Sequence, residues 1–135
     1  MDSTNIELPG SVIAGISRQG SDIVIRFEPA YLVKHMTGSV ERTRWHQQGE
    51  LVFIGAELEG EYSLPGFPIK CEGGDVGENV YTYRDMVPVP LDSRGRAHAV
   101  LRLQGHTGEV RIVASGVRLE MEDVPKYIEH VRPGD

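Results

Sequence analysis

One segment, residues 95–122, constrains the fold more than any other. It reads GRAHAVLRLQGHTGEVRIVASGVRLEME, and apolar and polar residues alternate on both sides of its GHTG turn. A period of two places one face of an antiparallel strand on a core and the other in water. A hairpin that turns at residues 105–108 pairs Leu103 with Val110, which keeps apolar residues opposite each other. We therefore predict two long antiparallel strands, with a bulge or bend at Gly116.

Two earlier segments show related patterns. Residues 21–28, SDIVIRFE, alternate and present one apolar face. Pro29 follows, so this strand must end, bulge or lie at a sheet edge there. Residues 50–60, ELVFIGAELEG, are apolar on both faces in their first half, which is typical of a central strand covered on both sides.

The end of the chain has a different periodicity. Val124, Tyr127, Ile128 and Val131 fall at i, i+3, i+4 and i+7, and Asp123 is available as an N-cap. This spacing predicts a two-turn amphipathic helix. Because so short a helix is not stable alone, we expect its apolar stripe to dock on the sheet.

Turn signals recur between the strand patterns throughout the chain, at LPG, RQGSD, LPGFP, GGDVG, LDSRG and GHTG. Such spacing is typical of a β-sandwich or barrel of many short strands. No strand–helix–strand alternation is present, which argues against a parallel nucleotide-binding sheet. We predict an all-β fold over residues 1–135: one domain, an antiparallel β-sandwich or jelly roll of about eight to ten strands with a short C-terminal α-helix.

Composition argues against several classes of partner. The net charge is −6, from 20 acidic and 14 basic residues, so a basic surface for nucleic acid is not expected. No run of about 18 apolar residues would span a membrane. The N-terminus lacks the basic and apolar regions of a signal peptide, and a single cysteine forms no disulfide framework. We expect a soluble cytoplasmic protein.

No motif in the sequence identifies catalytic residues. There is no G-x-S-x-G elbow, phosphate loop or dinucleotide fingerprint, and the five histidines show no H-x-H or H-x-x-x-H spacing. The acidic stretch 72–79 matches no calcium loop and is expected to be a solvated turn. We expect no cofactor and no metal. A metal-dependent jelly-roll enzyme using some of His46, His98, Glu57 and Glu59 is kept as an alternative.

Five residues are candidates for ligand binding. Trp45, Tyr81 and Tyr83 offer aromatic faces that can stack on a sugar or anchor a protein. Arg102 and Arg111 are predicted to lie opposite each other in the hairpin, where two like charges need an anion beside them. That anion is either a ligand carboxylate or phosphate, or a glutamate of the protein, which is the simpler answer.

Trp45 and His46 lie next to each other in the sequence but not on one face of a strand. Alternation directs their side chains to opposite faces, so we expect a largely buried Trp45 and a solvent-facing His46. Gly49 and Glu50 are expected to form a turn before the next strand.

These features favour a protein that is not an enzyme and that acts by binding another protein, as an inhibitor, an immunity-type protein or an assembly subunit. The partner is a different protein or a second copy of the chain. A carbohydrate-binding or small-ligand module is the first alternative, and the metal-dependent enzyme is the second.

Overall fold

A computed structural model of the chain describes residues 2–60 and 64–132. Within these ranges the chain forms eleven β-strands and no helix, so the predicted all-β class is confirmed. The strands are β1 (Ser3–Glu7), β2 (Val12–Gln19), β3 (Asp22–His35), β4 (Arg42–Ile54), β5 (Glu57–Leu58), β6 (Ile69–Glu78), β7 (Tyr81–Arg84), β8 (Met86–Val89), β9 (Asp92–Leu103), β10 (Val110–Met121) and β11 (Lys126–Val131).

Six strands close into an antiparallel barrel in the order β4–β10–β9–β6–β2–β3 and back to β4. This ring takes the place of the expected sandwich or jelly roll. Its closure depends on a short seam, because β2 and β6 pair at two positions only, Val12 with Lys70 and Ile13 with Ile69. A barrel and a sandwich bury the same alternating face, so alternation does not distinguish them.

The barrel interior is filled by the apolar face that alternation predicts. Ile23, Ile25 and Phe27 of β3 belong to the buried core. Ile23 lies opposite Phe53 of β4, and Ile25 lies opposite Leu51. Phe27 and Phe53 are completely buried, and each such side chain stabilises the fold by about 1.5–3 kcal/mol. Because β4 has β3 and β10 as neighbours here, its predicted central position is confirmed.

One of the two predicted irregularities lies on the strand where it was expected. The β3–β4 register shifts between Phe27 and Ala30, and the extra residue is on β3, so Pro29 lies in a bulge. The β9–β10 register also shifts between Ala114 and Gly116, but there β9 advances three residues, from Ala97 to Arg94, while β10 advances two, so the bulge is on β9 and not at Gly116. Proline cannot donate to a strand ladder, and an extra residue in a bulge is left unpaired, so a bulge accommodates Pro29 within β3.

The predicted register of the β9–β10 hairpin is wrong by two residues. Val110 lies opposite Leu101, where Leu103 was expected. A shift of two leaves every side chain on its predicted face, because the pleat repeats every two residues. Both registers place apolar residues opposite each other. The apolar match therefore predicts which side chains face the core, but it does not distinguish between the two registers.

β3 and β4 are longer than the barrel and continue beyond it together. Past the bulge, residues 31–35 of β3 pair with β1, which pairs in turn with β8. Residues 42–46 of β4 pair with β11 on the other side. The result is a five-strand extension with the order β8–β1–β3–β4–β11. β11 forms one edge of it, and no other described strand pairs with the free side of β11.

The predicted C-terminal helix is wrong, because residues 126–131 form strand β11. Asp123, the expected N-cap, has a φ of 57°, in the left-handed region. Lys126 then lies opposite His46 and Tyr127 opposite Trp45. A two-turn helix is marginal in isolation, whereas pairing with β4 satisfies backbone groups along one side of the segment. Aromatic and β-branched side chains also suit a strand.

Candidate functional site

The inner face of the extension, which continues the barrel interior, carries an aromatic cluster around Trp45. The indole ring meets the ring of Tyr127 edge to face, with centroids 5.3 Å apart. Its Nε1 donates a hydrogen bond of 2.8 Å to Thr43 Oγ1. The Lys34 ammonium lies 4.3 Å from the centroid of the indole, a cation–π contact. Trp45 is therefore half-buried and held by three neighbours, where a largely buried side chain was expected.

Trp45 and His46 face opposite ways, as alternation predicts, but the strand that carries them does not turn at Gly49 and Glu50. β4 runs without interruption from Arg42 to Ile54, and the expected turn is wrong. His46 is half-buried, where a solvent-facing side chain was expected, and it lines a cleft of about 350 Å³ on the outer face. Glu122, between β10 and β11, lines the same cleft.

Arg26 lies near three carboxylates on the outer face beside the cleft. Its guanidinium donates a hydrogen bond of 2.9 Å to Glu122 and lies 3.4 Å from the carboxylate of Glu28 and 3.9 Å from that of Glu50. The hydrogen bond from Arg26 holds the pKa of the Glu122 carboxyl below its usual value, and the same bond raises the pKa of Arg26. Glu122 thereby fixes the start of the segment that leads into β11.

Arg44 of β4 forms a similar ion pair with β11 itself. It lies opposite Glu129 in the strand ladder, and its Nη1 is 3.4 Å from the Glu129 carboxylate. Its Nε is 3.3 Å from the carboxylate of Glu7 on β1. The ladder, the contact between Tyr127 and Trp45, and this ion pair together hold β11 in a defined position.

β11 and the residues before it expose apolar side chains. The exposed fractions are 75% for Val124, 51% for Tyr127 and 41% for Ile128. The Tyr127 hydroxyl also lies 2.8 Å from His130 Nδ1. We name these three apolar residues, with the free edge of β11, the β11 surface. This surface was not predicted from the sequence, because the spacing of its residues indicated a docked helix. The aromatic and β-branched residues that follow Pro125 are the signal that favours a strand.

The three aromatic residues predicted to stack on a ligand do not lie together. Tyr81 and Tyr83 are on β7, which pairs with β6. β6 stands opposite β4 in the six-strand ring, three positions away in either direction, and the aromatic neighbour of Trp45 is Tyr127. Burial and, after it, the nearby Glu78 raise the pKa of Tyr83. Ligand binding by any of the three stays a prediction.

Arg102 and Arg111 do not lie opposite each other, because the hairpin register differs from the predicted one. Arg111 lies opposite Val100, and its guanidinium is 2.8 Å from Glu109. The Arg102 guanidinium is 3.4 Å from the carboxylate of Asp85. Each arginine thus has a protein carboxylate beside it, which for Arg111 is a glutamate. A role of either in holding a ligand stays a prediction.

The residues of the metal-enzyme alternative fall in two places. His98, Glu57 and Glu59 line an open groove of about 540 Å³ on the outer face of β5, β9 and β10. The His98 ring covers Gly77 of the neighbouring strand so closely that a Cβ there would collide with it. His46 lines the separate cleft beside β11. Among residues 2–60 and 64–132, no three or more His, Cys, Asp or Glu are grouped so that they could hold a metal ion.

β6 contains the cysteine and most of the acidic stretch 72–79, which was expected to be a solvated turn. That expectation is wrong up to Glu78, since the segment pairs with both β7 and β9. Burial raises the pKa of the Cys71 thiol to about 11, so the reactive thiolate is disfavoured. This is the behaviour of a cysteine that packs as a small apolar residue.

Comparison with known proteins assigns the chain to no family. No protein-family model matches the chain, and neither the curated proteins nor the solved structures include a significant match. None of the described residues belongs to a helix with the length and apolar character of a membrane span. Any functional assignment rests on the contacts described above.

Proposed function

We propose that the protein acts by binding another protein through the β11 surface. One observation carries the proposal: Val124, Tyr127 and Ile128 are exposed on and beside a strand with a free edge. A strand edge presents N–H and C=O groups to which a partner strand can hydrogen-bond. Exposed apolar side chains along the edge add area that a partner can bury.

The support around β11 favours binding with little reorganisation. Trp45 packs against Tyr127 from below, and Arg44 pairs with Glu129 on the opposite face. A surface already fixed by such contacts loses less conformational freedom on association than a loose segment does. Pro125 and the bulge at Ile128 restrict which strands can pair here, and edges protected in this way avoid indiscriminate association.

The carbohydrate alternative has less support from the same cluster. A sugar would stack on the open face of an aromatic ring, and Lys34 lies over the ring of Trp45. Tyr127 meets the indole at an interplanar angle of 75°, so the two rings do not form one flat platform. A protein partner, which needs apolar area more than a planar ring face, fits the arrangement better.

A small-ligand site in the groove on β5, β9 and β10 is the second candidate. Its volume of about 540 Å³ and the apolar Val100 and Val113 favour a small ligand with an apolar body, and both Arg111 and Glu57 line it as charged side chains. Thermal-shift measurements with a panel of aliphatic and aromatic carboxylates and amines test it. A stabilisation that is lost in Arg111→Gln or in Glu57→Gln supports this site, and no stabilisation by any of the panel contradicts it.

The experiment on the β11 surface is affinity capture from cells of the source organism with three baits. They are the wild-type chain, a Val124→Ser/Ile128→Ser variant, and a Val80→Ser/Tyr81→Ser control. The control removes exposed apolar area of similar extent at the β6–β7 turn, where Val80 is 89% and Tyr81 63% exposed. Tyr127 is kept because it packs on Trp45.

We expect the wild-type chain and the β6–β7 control to retain the same protein at one-to-one stoichiometry, and the β11 variant to lose it. All three baits should unfold at similar temperatures, because the substituted side chains are exposed. Retention of no stoichiometric protein, with the cell's own copy of the chain counted as one, or equal retention by the β11 variant, would contradict the proposal.

A further inference from the structure

We propose that the β11 surface pairs with the same surface of a second copy of the chain, giving a dimer with two-fold symmetry. This inference rests on the proposed function, because it names the protein that occupies the same surface. It comes from the sequence of the segment, Val124 to Val131, which is VPKYIEHV. An antiparallel pair with its two-fold axis between Tyr127 and Ile128 makes this segment complementary to itself.

Except at Pro125, the residue pairs formed around that axis combine either two apolar side chains or two opposite charges. Tyr127 lies opposite Ile128 of the second copy, and Val124 lies opposite Val131 of the second copy. Lys126 lies opposite Glu129 of the second copy, and symmetry repeats each pair. Apolar pairs and pairs of opposite charge stabilise neighbouring antiparallel strands. The exposed fractions of Val124, Tyr127 and Ile128 show that these side chains are open to such contacts.

The bulge in β11 is what brings the charged residues to one face. Residues three apart lie on opposite faces of a regular strand. In β11, however, Lys126 lies opposite His46 and Glu129 lies opposite Arg44, with Ile128 as the extra residue. His46 and Arg44 are two apart on β4 and share a face, so Lys126 and Glu129 share it too. A two-fold axis perpendicular to the sheet preserves faces, so the two charges of each pair meet on the same side.

The same features explain why a second copy fits better than another strand. A regular strand does not match a bulged edge, whereas a second copy has the same bulge at the axis. The two edges then cover each other, and assembly stops at two chains because the interface is isologous. The edge of six residues is about 20 Å long, enough for several backbone hydrogen bonds across the axis.

The test is sedimentation equilibrium of the full chain and its charge variants over a wide concentration range. Lys126→Glu places a glutamate opposite each Glu129, and Glu129→Lys places a lysine opposite each Lys126. Each variant replaces two attractive pairs with two repulsive ones, so we expect the dimer dissociation constant to rise about tenfold or more. Lys70→Glu and Glu72→Lys, at exposed positions of β6, repeat the two charge changes elsewhere and should leave the dimer intact.

Mixing the two β11 variants gives the decisive result. In a mixed dimer, the glutamate introduced by Lys126→Glu in one chain faces the lysine introduced by Glu129→Lys in the other. The unchanged Glu129 of the first chain faces the unchanged Lys126 of the second, so both pairs are attractive and the mixture should dimerise more tightly than either variant alone. Glu129→Lys also removes the ion pair with Arg44 of its own chain, so the affinity of the mixture should lie between that of the variants and that of the wild type. Recovery on mixing also shows that each variant is folded. A wild-type dimer that is insensitive to both substitutions, or variants that do not recover on mixing, overturns the β11 dimer.

The inference and the proposed function fail separately. A wild-type chain that stays monomeric at every concentration, while capture still returns a different protein through Val124 and Ile128, overturns the dimer and leaves the proposed function standing. A monomer that captures nothing overturns both.

Discussion

Gly74 of β6 is the position at which one added methyl group should damage the barrel most. A Cβ built there lies closer than 3.0 Å to the carbonyl oxygen of Val100 and 3.0 Å from the Cα of Leu101. Both atoms belong to the backbone of β9, the next strand of the ring, and cannot rotate away as a side chain could. The φ of Gly74 is +155°, a conformation that residues with a Cβ rarely adopt.

The expected cost of Gly74→Ala follows from these two effects. A strained backbone conformation costs about 1–3 kcal/mol, and forcing extra volume into a packed site costs about 1–3 kcal/mol more. We therefore expect the free energy of unfolding to fall by about 2–6 kcal/mol, out of a total of about 5–15 kcal/mol for a domain. At about 3–4 °C for each kcal/mol, the melting temperature should fall by about 6–24 °C.

Urea denaturation measures this loss, with far-UV circular dichroism for the strands and the fluorescence of Trp45 for the extension. Gly15→Ala on β2 is the matched control, since nothing lies within 4 Å of a Cβ there and its φ is not in the left-handed region. We expect that control to be neutral or more stable by about 0.4–1 kcal/mol. A Gly74→Ala variant that loses less than about 1 kcal/mol, or a control that loses as much, would refute the steric argument.

Three further measurements test the core, the thiol and an ion pair. Phe53→Ala should cost about 3–5 kcal/mol of unfolding free energy because the ring is completely buried, whereas Val113→Ala on the exposed face should change it by under about 0.5 kcal/mol; equal urea midpoints would contradict this. Cys71, with a pKa raised to about 11 by burial, should resist a thiol reagent at pH 8 until urea unfolds the chain, so rapid labelling of the native protein would disprove it. Arg26 lowers the pKa of Glu122, so the charged carboxylate stabilises the fold above its ordinary pKa of 4.5, and this contribution is lost as the pH falls through the lowered folded-state pKa. The melting temperatures of wild type and Glu122→Gln should therefore differ at neutral pH and converge in acid, and a difference independent of pH would count against the ion pair.

Much of the fold could be predicted from the sequence because the face of a strand to which a side chain points depends only on a few consecutive residues. The inward set on β3, from Ile23 to Phe27, follows from the period of the pleat alone. Pro29 indicated an end of the strand, a bulge or a sheet edge, because its missing N–H conflicts with a continuous ladder, and the structure has the bulge. The opposite orientation of Trp45 and His46 follows from the same alternation.

The candidate site could not be predicted in the same way. Tyr127 and Ile128 fit a helix stripe as well as they fit a bulged strand, and only pairing with residues 42–46 of β4 decides between them. Arg111 was placed opposite Arg102 because two registers of the hairpin have equally apolar partners, and the structure has the other one. In each case the competing arrangements bury similar residues and differ in contacts between segments far apart in the chain.

The sequence by itself determined that this chain is made of antiparallel strands, which side of several of them is apolar, and that the ladder of β3 is interrupted at Pro29. Those properties depend on the geometry of a few consecutive residues. The tertiary structure decided that the ring closes at a seam of two residue pairs between β2 and β6, and that the last six-residue strand covers residues 42–46 of β4. It also decided that the chain's single tryptophan lies beneath an exposed edge, since Trp45 meets Tyr127 there. The physical reason is that closure, register and edge exposure depend on free-energy differences between long-range pairings that share the same local pattern.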